Sequence, residues 1–350
     1  MISSLDDFLS YSLKHNNDYS EFSFDLLEHT RVSSSLPGVI SFSPLNQHLD
    51  SSAAKRVVLS CGIHGNETAP IEICNEMIRE IAQGHLRVVH PTLFIFGNLE
   101  SMVAETRFID ENLNRLFVPK IHEKESHPER FENAEQARAA ALMTAVTQFF
   151  QGAGDADAYD KATRIHYDLH TAIRASKNEK FAVYPYLHGK PYNKEQLQFM
   201  SDCGVNTILL SQTPATTFSY YSSFNHGAHA FTVELGKVKA FGQNDMSKFI
   251  KVNKMLRELI SKQALSLTPY HTCPLDIYTV NQVVRKHQDD FRLNFTDDTA
   301  NFTDFKKGEL LAEETGAKYV AEHDGEAIVF PNADVALGQR AMLTVIPYEL

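Results

Sequence analysis

The sequence predicts an α/β protein: a mostly parallel, mixed sheet flanked by helices, followed by a smaller β-rich C-terminal domain. Three observations predict it. Apolar, β-rich runs alternate with helical patterns through the middle of the chain, the pattern of a sheet covered on both faces. After about Leu267 the helical patterns stop, and short strands separated by Gly and Asp turns take over. A length of 350 residues, 43% hydrophobic and 22% charged, is ordinary for a globular chain but too much for one small core.

The elements follow in order. "KRVVLSCGI" reads as a buried strand. "APIEICNEMIREIAQG" reads as a helix, with Pro70 near its first turn, Ile71, Cys74 and Ile78 on one face, and Gly84 as its stop. "TLFIFGN" is a second buried strand, and "AEQARAAALMTAVTQFFQG" a long alanine-rich helix ending at Gly152. Between them, "KIHEKESHPERFENAEQ" reads as a solvated connection. "RIHYDLHTA", "KFAVYPY", "VNTILLS" and "HAFTVELG" are further strands, and "NDMSKFIKVNKMLRELISKQAL" is a strong helix. Near "SLTPYHTCP" the pattern changes, which divides the chain into domains 1–267 and 268–350. In the second, "IYTVNQVV", "KGELLAEE", "AKYVAEHDGEAIVFP" and "AMLTVIPYEL" read as short strands, with a hairpin expected at the Asp-Gly of "EHDGEAIVF".

Charge and cysteine usage narrow the function. A net charge of −11 argues against a nucleic-acid surface, which wants basic patches. It leaves an anionic substrate open, because a few arginines reverse the field inside a pocket. Cys61, Cys74, Cys203 and Cys273 are scattered without a CxxC pair, so a reduced, cytoplasmic chain without a sulfur-ligated zinc is expected. "MISSLDDFLSYSLKHNNDYS" lacks a basic n-region and apolar core, so no signal peptide is expected. No stretch reaches the ~18 to 20 apolar residues of a membrane span. Neither a membrane nor a nucleic-acid partner is expected, and oligomeric state is not legible.

Four stretches carry candidate chemistry. In "CGIHGNETAP", His64 and Glu67 stand three apart in a turn after a strand, where open α/β sheets build their sites. Gly62 and Gly65 let the backbone bend there. Two ligands from one loop suit a catalytic metal that takes three nitrogen or oxygen donors; taken alone, the pair is explained more simply by a solvated histidine beside a glutamate at a helix N-terminus. In "IHYDLHTA", strand alternation puts His166, Asp168 and His170 on one face. His170 falls at the strand's carboxyl end as a third ligand, and Asp168 is placed to orient a histidine. In "AFTVELGK", Glu234 is a strand-end carboxylate suited to a general base. In "ETRFIDENLNRLF", Arg107 and Arg115, with Asn114, offer donors for a carboxylate or an oxyanion. His226 and His229 in "NHGAH" read as ordinary loop histidines.

"GIHGNE", "ENLNRLF", "DLHTAI" and "VELG", in this order, resemble the succinylglutamate desuccinylase/aspartoacylase family of zinc enzymes, with "RFIDENLNRLF" and "DLHTAIR" closest to its desuccinylase branch. The resemblance covers roughly residues 55 to 265 and implies a zinc-carboxypeptidase-like catalytic fold. Carried over position by position, it implies His64, Glu67 and His170 as ligands of one Zn²⁺ per chain. It implies Glu234 as the general base, Arg107 as the carbonyl- and oxyanion-stabilising arginine, and Asn114 and Arg115 as holders of the amino acid's α-carboxylate.

The implied reaction is hydrolysis of the amide of N-succinyl-L-glutamate to succinate and L-glutamate, the last step of the succinyl-transfer route of arginine catabolism. The alternatives are an aspartoacylase-like amidohydrolase for another N-acyl amino acid, a carboxypeptidase and, of another class, a non-catalytic metal-binding protein. One departure stands out. Aspartoacylases carry a further substrate arginine about ten residues before the glutamate, where this chain has "SSFNHGAHAF". That counts against aspartoacylase activity and leaves the distal carboxylate without a partner; Arg174 and Lys177 are the candidates the sequence offers.

Overall fold

In a computed structural model, which describes residues 5–45, 54–152 and 162–350, the apolar runs assemble into one large mixed sheet. Its strands in chain order begin with β1 (Phe22–Leu26), β2 (Thr30–Leu36) and β3 (Val39–Pro44). Then come β4 (Lys55–Cys61), β5 (Thr92–Phe96), β6 (Thr163–Ala172), β7 (Phe181–Tyr184), β8 (Thr207–Leu210) and β9 (His229–Lys237). The C-terminal part supplies β10 (Asp276–Arg285), β11 (Arg292–Leu293), β12 (Thr303–Phe305), β13 (Leu310–Glu314), β14 (Ala317–Val320), β15 (Glu326–Val329) and β16 (Arg340–Pro347). The spatial order is β1-β2-β3-β5-β4-β6-β9-β7-β8-β10-β16-β15-β12, with β11-β13-β14 as a separate small sheet.

The centre is parallel, as the alternating pattern predicts: β5, β4, β6 and β9 run together, as do β7, β8 and β10. Both ends are antiparallel. At one end β1–β3 form a meander that the sequence reading did not foresee. Its strands are short and half-polar, and their period-2 signal is weak: in β1, Phe22 and Phe24 are half-buried between the exposed Ser23 and Asp25. At the other end β10 pairs in parallel with β8 and antiparallel with β16. Hydrogen bonding is therefore continuous from the α/β part into the β-rich part.

Alternation along the central strands sorts side chains into two layers. Val57, Leu59 and Cys61 of β4, with Ile165, Tyr167 and Leu169 of β6, pack with the helices Thr68–Ala82 and Ile250–Ser261. Val58 packs on the opposite face with the helix Ala134–Gln151. The helix Thr68–Ala82 buries Ile71, Cys74 and Ile78 as its periodicity predicts, and Gly84 follows it at φ +76°. A third cluster seats the C-terminal strands on the α/β part: Phe181 and Leu209 meet Phe302, Val329, Leu343 and Val345.

Two expectations need correction. The Asp324–Gly325 turn closes no hairpin, because both edges of β15 are taken by β12 and β16 while β14 folds back on β13. The turn instead carries the chain between sheets, with the Lys307 N–H donating to Asp324 (3.0 Å). The segment "KIHEKESHPERFENAEQ" is not merely solvated. It forms short helical turns from Pro119 to Arg130, with Ile121 buried in the core and Lys124 donating to Gln136 at 2.9 Å. Among the described residues, no helix is long and apolar enough to cross a membrane.

Candidate active site

His64 and Glu67 leave β4 in a turn whose tightness is set by glycine. Gly62 sits at φ +63°, and a Cβ at Gly65 would meet the Ser101 backbone at 2.2 Å. The turn lies beside the carboxyl end of β6, where His170 points to the same face. Ligand atoms of His64, Glu67 and His170, all buried, lie within 4.8 Å of one another.

The two histidines present the same nitrogen inward. His64 Nδ1 is 2.8 Å from Glu67 Oε1, and His170 Nδ1 is 2.9 Å from Glu67 Oε2. Their outer nitrogens are held: His64 Nε2 by Asn112 Oδ1 (3.0 Å) and His170 Nε2 by Asp168 Oδ2 (2.9 Å). Asp168 is in turn fixed by the Ser60 hydroxyl, which donates to it at 2.6 Å. With Nε2–H donating outward, His64 keeps its Nδ1 lone pair for the interior, and His170 offers its own once its second proton leaves. His64 Nδ1 is buried and, despite its closeness to Glu67, has no aligned hydrogen-bond partner. An orphaned buried lone pair in a two-nitrogen, one-carboxylate set is what a metal site of open coordination asks for. The residues present can hold a metal ion.

The electrostatics agree. Burial, with Arg107 nearby, outweighs the Glu67 charge and takes His64 down to about 4, so it is neutral. Burial would raise Glu67, but His64 and His170 hold it well below the carboxylate range. Burial opposes charge on His170, yet Asp168 and Glu67 raise it well above an ordinary histidine. Glu67 also accepts from Arg107 at 2.6 Å. Without a cation, the carboxylate between the histidines is answered by a proton on His170 and by Arg107.

Glu234 ends this arrangement on β9, opposite His170 in register. Burial, supported by Glu67 and opposed by His170, takes its carboxyl up to about 7, and its Oε2 is buried without a hydrogen-bond partner. A carboxylate near neutral pKa is suited to exchanging protons.

A cavity of about 370 Å³ opens from these groups. His64, His170, Glu234, Arg107, Asn114 and Arg115 all line it, so all the sequence-predicted site residues but Glu67 face one space, and Glu67 lies beneath them. Asn114 is anchored by accepting the Phe218 N–H at 3.0 Å, while Arg115 donates to the Asn114 carbonyl at 2.9 Å. The C-terminal part walls the cavity through Asn301, Phe330, Asn332, Gln339 and Arg340.

Several guesses fall away. Lys177 pairs with Asp304 on the surface. Arg174 lines the cavity but donates to the carbonyls of Thr299 and Pro331. His226 bonds Thr147 and His229 bonds Asn193, away from the centre, in keeping with their reading as ordinary histidines rather than ligands. Ser60, Asn112 and Arg340 went unremarked. Asn112 lies inside the quoted "ENLNRLF"; Ser60 and Arg340 carry no local signal, because only the fold brings them in.

Residues 53–260 match the Succinylglutamate desuccinylase/Aspartoacylase catalytic domain, and residues 273–348 match the AstE/AspA barrel-sandwich hybrid domain. A succinylglutamate desuccinylase of Pseudoalteromonas atlantica is 58% identical over 94% of this chain and 90% of its own. One of Shewanella denitrificans is 48% identical over 97% and 95%. Among solved structures, the succinylglutamate desuccinylase of Chromobacterium violaceum is 36% identical, with a TM-score of 0.81 over 99% of this chain and 98% of that one. Murine aminoacylase 3, at 16% identity, TM-score 0.57 and coverage of 84% and 95%, shares the fold.

Proposed function

The chain belongs to the succinylglutamate desuccinylase/aspartoacylase family, and on that premise we propose that it hydrolyses N-succinyl-L-glutamate to succinate and L-glutamate with one Zn²⁺ per chain. The observation that carries this reading is the meeting of His64, Glu67, His170 and Glu234 at a cavity lined by four arginines, Arg107, Arg115, Arg174 and Arg340. Among the described residues, Glu234 is the only acidic one lining that cavity, and the proposed substrate carries three carboxylates.

His64, Glu67 and His170 hold the zinc. When bound, zinc supplies Lewis acidity, which polarises a carbonyl and brings a water's pKa toward ~7. Glu234 accepts a proton from the water as its oxygen bonds to the amide carbon. Arg107 stabilises the negative charge that develops on the carbonyl oxygen, a contribution of roughly 3 to 4 kcal/mol for one such donor. Asn114 and Arg115 hold the α-carboxylate of the amino acid, Arg115 as a planar fork. Glu234 then delivers its proton to the amide nitrogen as the carbon–nitrogen bond breaks, which releases the amine of glutamate and the carboxylate of succinate.

The C-terminal walls of the cavity suit a small triacid better than an extended peptide. The absence of an arginine in "SSFNHGAHAF" disfavours an aspartoacylase. We assign the reaction to the cytoplasm, as the closing step of the succinyl-transfer route of arginine breakdown. Its test is release of free amino acid from N-succinyl-L-glutamate beside N-acetyl-L-aspartate. Preference for the succinyl substrate by at least about 100-fold in kcat/KM is expected; preference for the acetyl substrate would overturn the reading.

A further inference from the structure

Arg340 is the cation of this cavity whose buried Nε no partner among the described residues answers. It opens β16, its backbone in register with Arg285 of β10, and it lines the cavity together with Arg115. Its Nε is buried with no hydrogen-bond partner, and among the described residues no carboxylate pairs with it. The guanidinium lies over the Phe330 ring, 5.6 Å from its centroid. Burial, with the charges of Arg115 and Arg285 nearby, takes Arg340 down to about 9. A half-buried guanidinium whose buried Nε has no partner is costly in the free protein, unless a bound anion supplies what the fold withholds.

The segment that presents Arg340 is constrained. Phe330 sits at φ +55° and Phe302 at φ +62°, a conformation that bulky side chains rarely adopt. Asn301, the residue before Phe302, fixes Phe330 by accepting its N–H at 2.8 Å. Phe302 is packed against Phe181 and Tyr278. Backbone strain of this kind persists where the surroundings over-determine it, and such places include ligand clamps. The other cavity arginines are spent or assigned. Arg107 marks the reacting end through its bond to Glu67, and Arg174 is held by two carbonyls.

We propose that Arg340, contributed by the C-terminal strands, binds the γ-carboxylate of the glutamate half of the substrate and so makes the β-rich part a determinant of specificity. The assignment rests on the desuccinylase reading for its substrate. It chooses the γ-carboxylate because Arg340 and Arg115 are electrostatic neighbours, and Arg115 is the proposed partner of the α-carboxylate on the same half. The succinyl carboxylate lies across the scissile bond. The cation that "SSFNHGAHAF" does not supply from the α/β part then comes from the other end of the chain.

The test uses Arg340→Gln and Arg340→Lys in the full-length, zinc-loaded protein, each checked for an unchanged unfolding temperature. Three substrates are compared by kcat/KM: N-succinyl-L-glutamate, N-succinyl-L-norvaline, which lacks the γ-carboxylate, and N-butyryl-L-glutamate, which lacks the succinyl one. Loss of a charge-assisted contact is expected to cost Arg340→Gln about 10- to 100-fold on both glutamate substrates and nothing on the norvaline one, with partial recovery in Arg340→Lys. Equal losses on all three, or a loss confined to the two succinyl substrates, would overturn the proposal. Calorimetric binding of L-glutamate and L-norvaline gives a second readout. Arg340→Gln is expected to weaken only L-glutamate; equal weakening of both, or of neither, contradicts it. If the parent protein fails to hydrolyse N-succinyl-L-glutamate, the desuccinylase reading falls, and the binding pair still decides what Arg340 holds.

Discussion

Asp168 Oδ2 lies 2.9 Å from His170 Nε2, on the ring edge opposite the nitrogen that faces Glu67. Two residues apart on one strand, the pair shares a face, and the Ser60 hydroxyl pins the carboxylate from the neighbouring strand. This contact turns the Nδ1 edge of His170 inward. Removing it in Asp168→Ala is expected to weaken zinc binding by about 10- to 100-fold, as read by competition with a chromogenic chelator. Unchanged affinity would show that the ring needs no orienting partner.

Zinc uptake at pH 7 is expected to release one proton from these ligands. His64 is already neutral at about 4 and Glu67 is already ionised. His170 alone is held protonated, because Asp168 and Glu67 outweigh its burial. A metal must displace that proton, so affinity rises with pH, about 10-fold per unit, until His170 deprotonates unaided. Calorimetry in buffers of different ionisation enthalpy counts the proton; a count of zero contradicts the His170 assignment.

Glu234→Gln keeps the shape of the site and removes its exchangeable proton. Zinc content by elemental analysis is expected to stay at one per chain, while kcat falls by at least about 100-fold. Burial raises the Glu234 carboxyl to about 7 without a metal, and a bound cation lowers it. The base must be ionised, so kcat/KM is expected to fall with decreasing pH on a limb at or below pH 7. A variant that retains full turnover removes Glu234 from the chemistry.

Away from the site, burial takes His90 down to about 4, aided by Lys55, while its Nε2 contacts the Lys262 carbonyl at 3.0 Å. The folded state keeps it neutral, and the unfolded chain protonates it below about 6.5. Stability from this source is complete above pH 6.5 and is lost as pH falls toward 4. His166 and His226 are depressed in the same direction. His90→Gln preserves a donor to the carbonyl and is expected to flatten the fall in Tm between pH 7 and 5. A variant whose Tm parallels the parent at each pH excludes His90.

The meeting of His64, Glu67 and His170 was legible in the sequence because its signals are local. A three-residue spacing sets His64 beside Glu67, and strand alternation aligns Asp168 with His170. Apolar periodicity gave the helices Thr68–Ala82 and Ala134–Gln151 nearly to the residue. What was missed depends on contacts between distant segments. The meander of β1–β3 has half-polar strands whose pattern is decided by pairing. The Asp324–Gly325 turn carries hairpin chemistry, but β12 and β16 claim the edges of β15. Arg340 follows a glycine turn 106 residues after Glu234 in the numbering, and only the seating of Leu343 and Val345 on Phe181 and Leu209 carries it to the cavity.

The measurement that bears most directly on this account is hydrolysis of N-succinyl-L-glutamate after the metal is stripped by chelation and zinc is added back in steps. The account predicts activity below about 1% in the stripped protein and a linear return that saturates at one zinc per chain. Full activity in a preparation holding less than about a tenth of an equivalent of metal would contradict it.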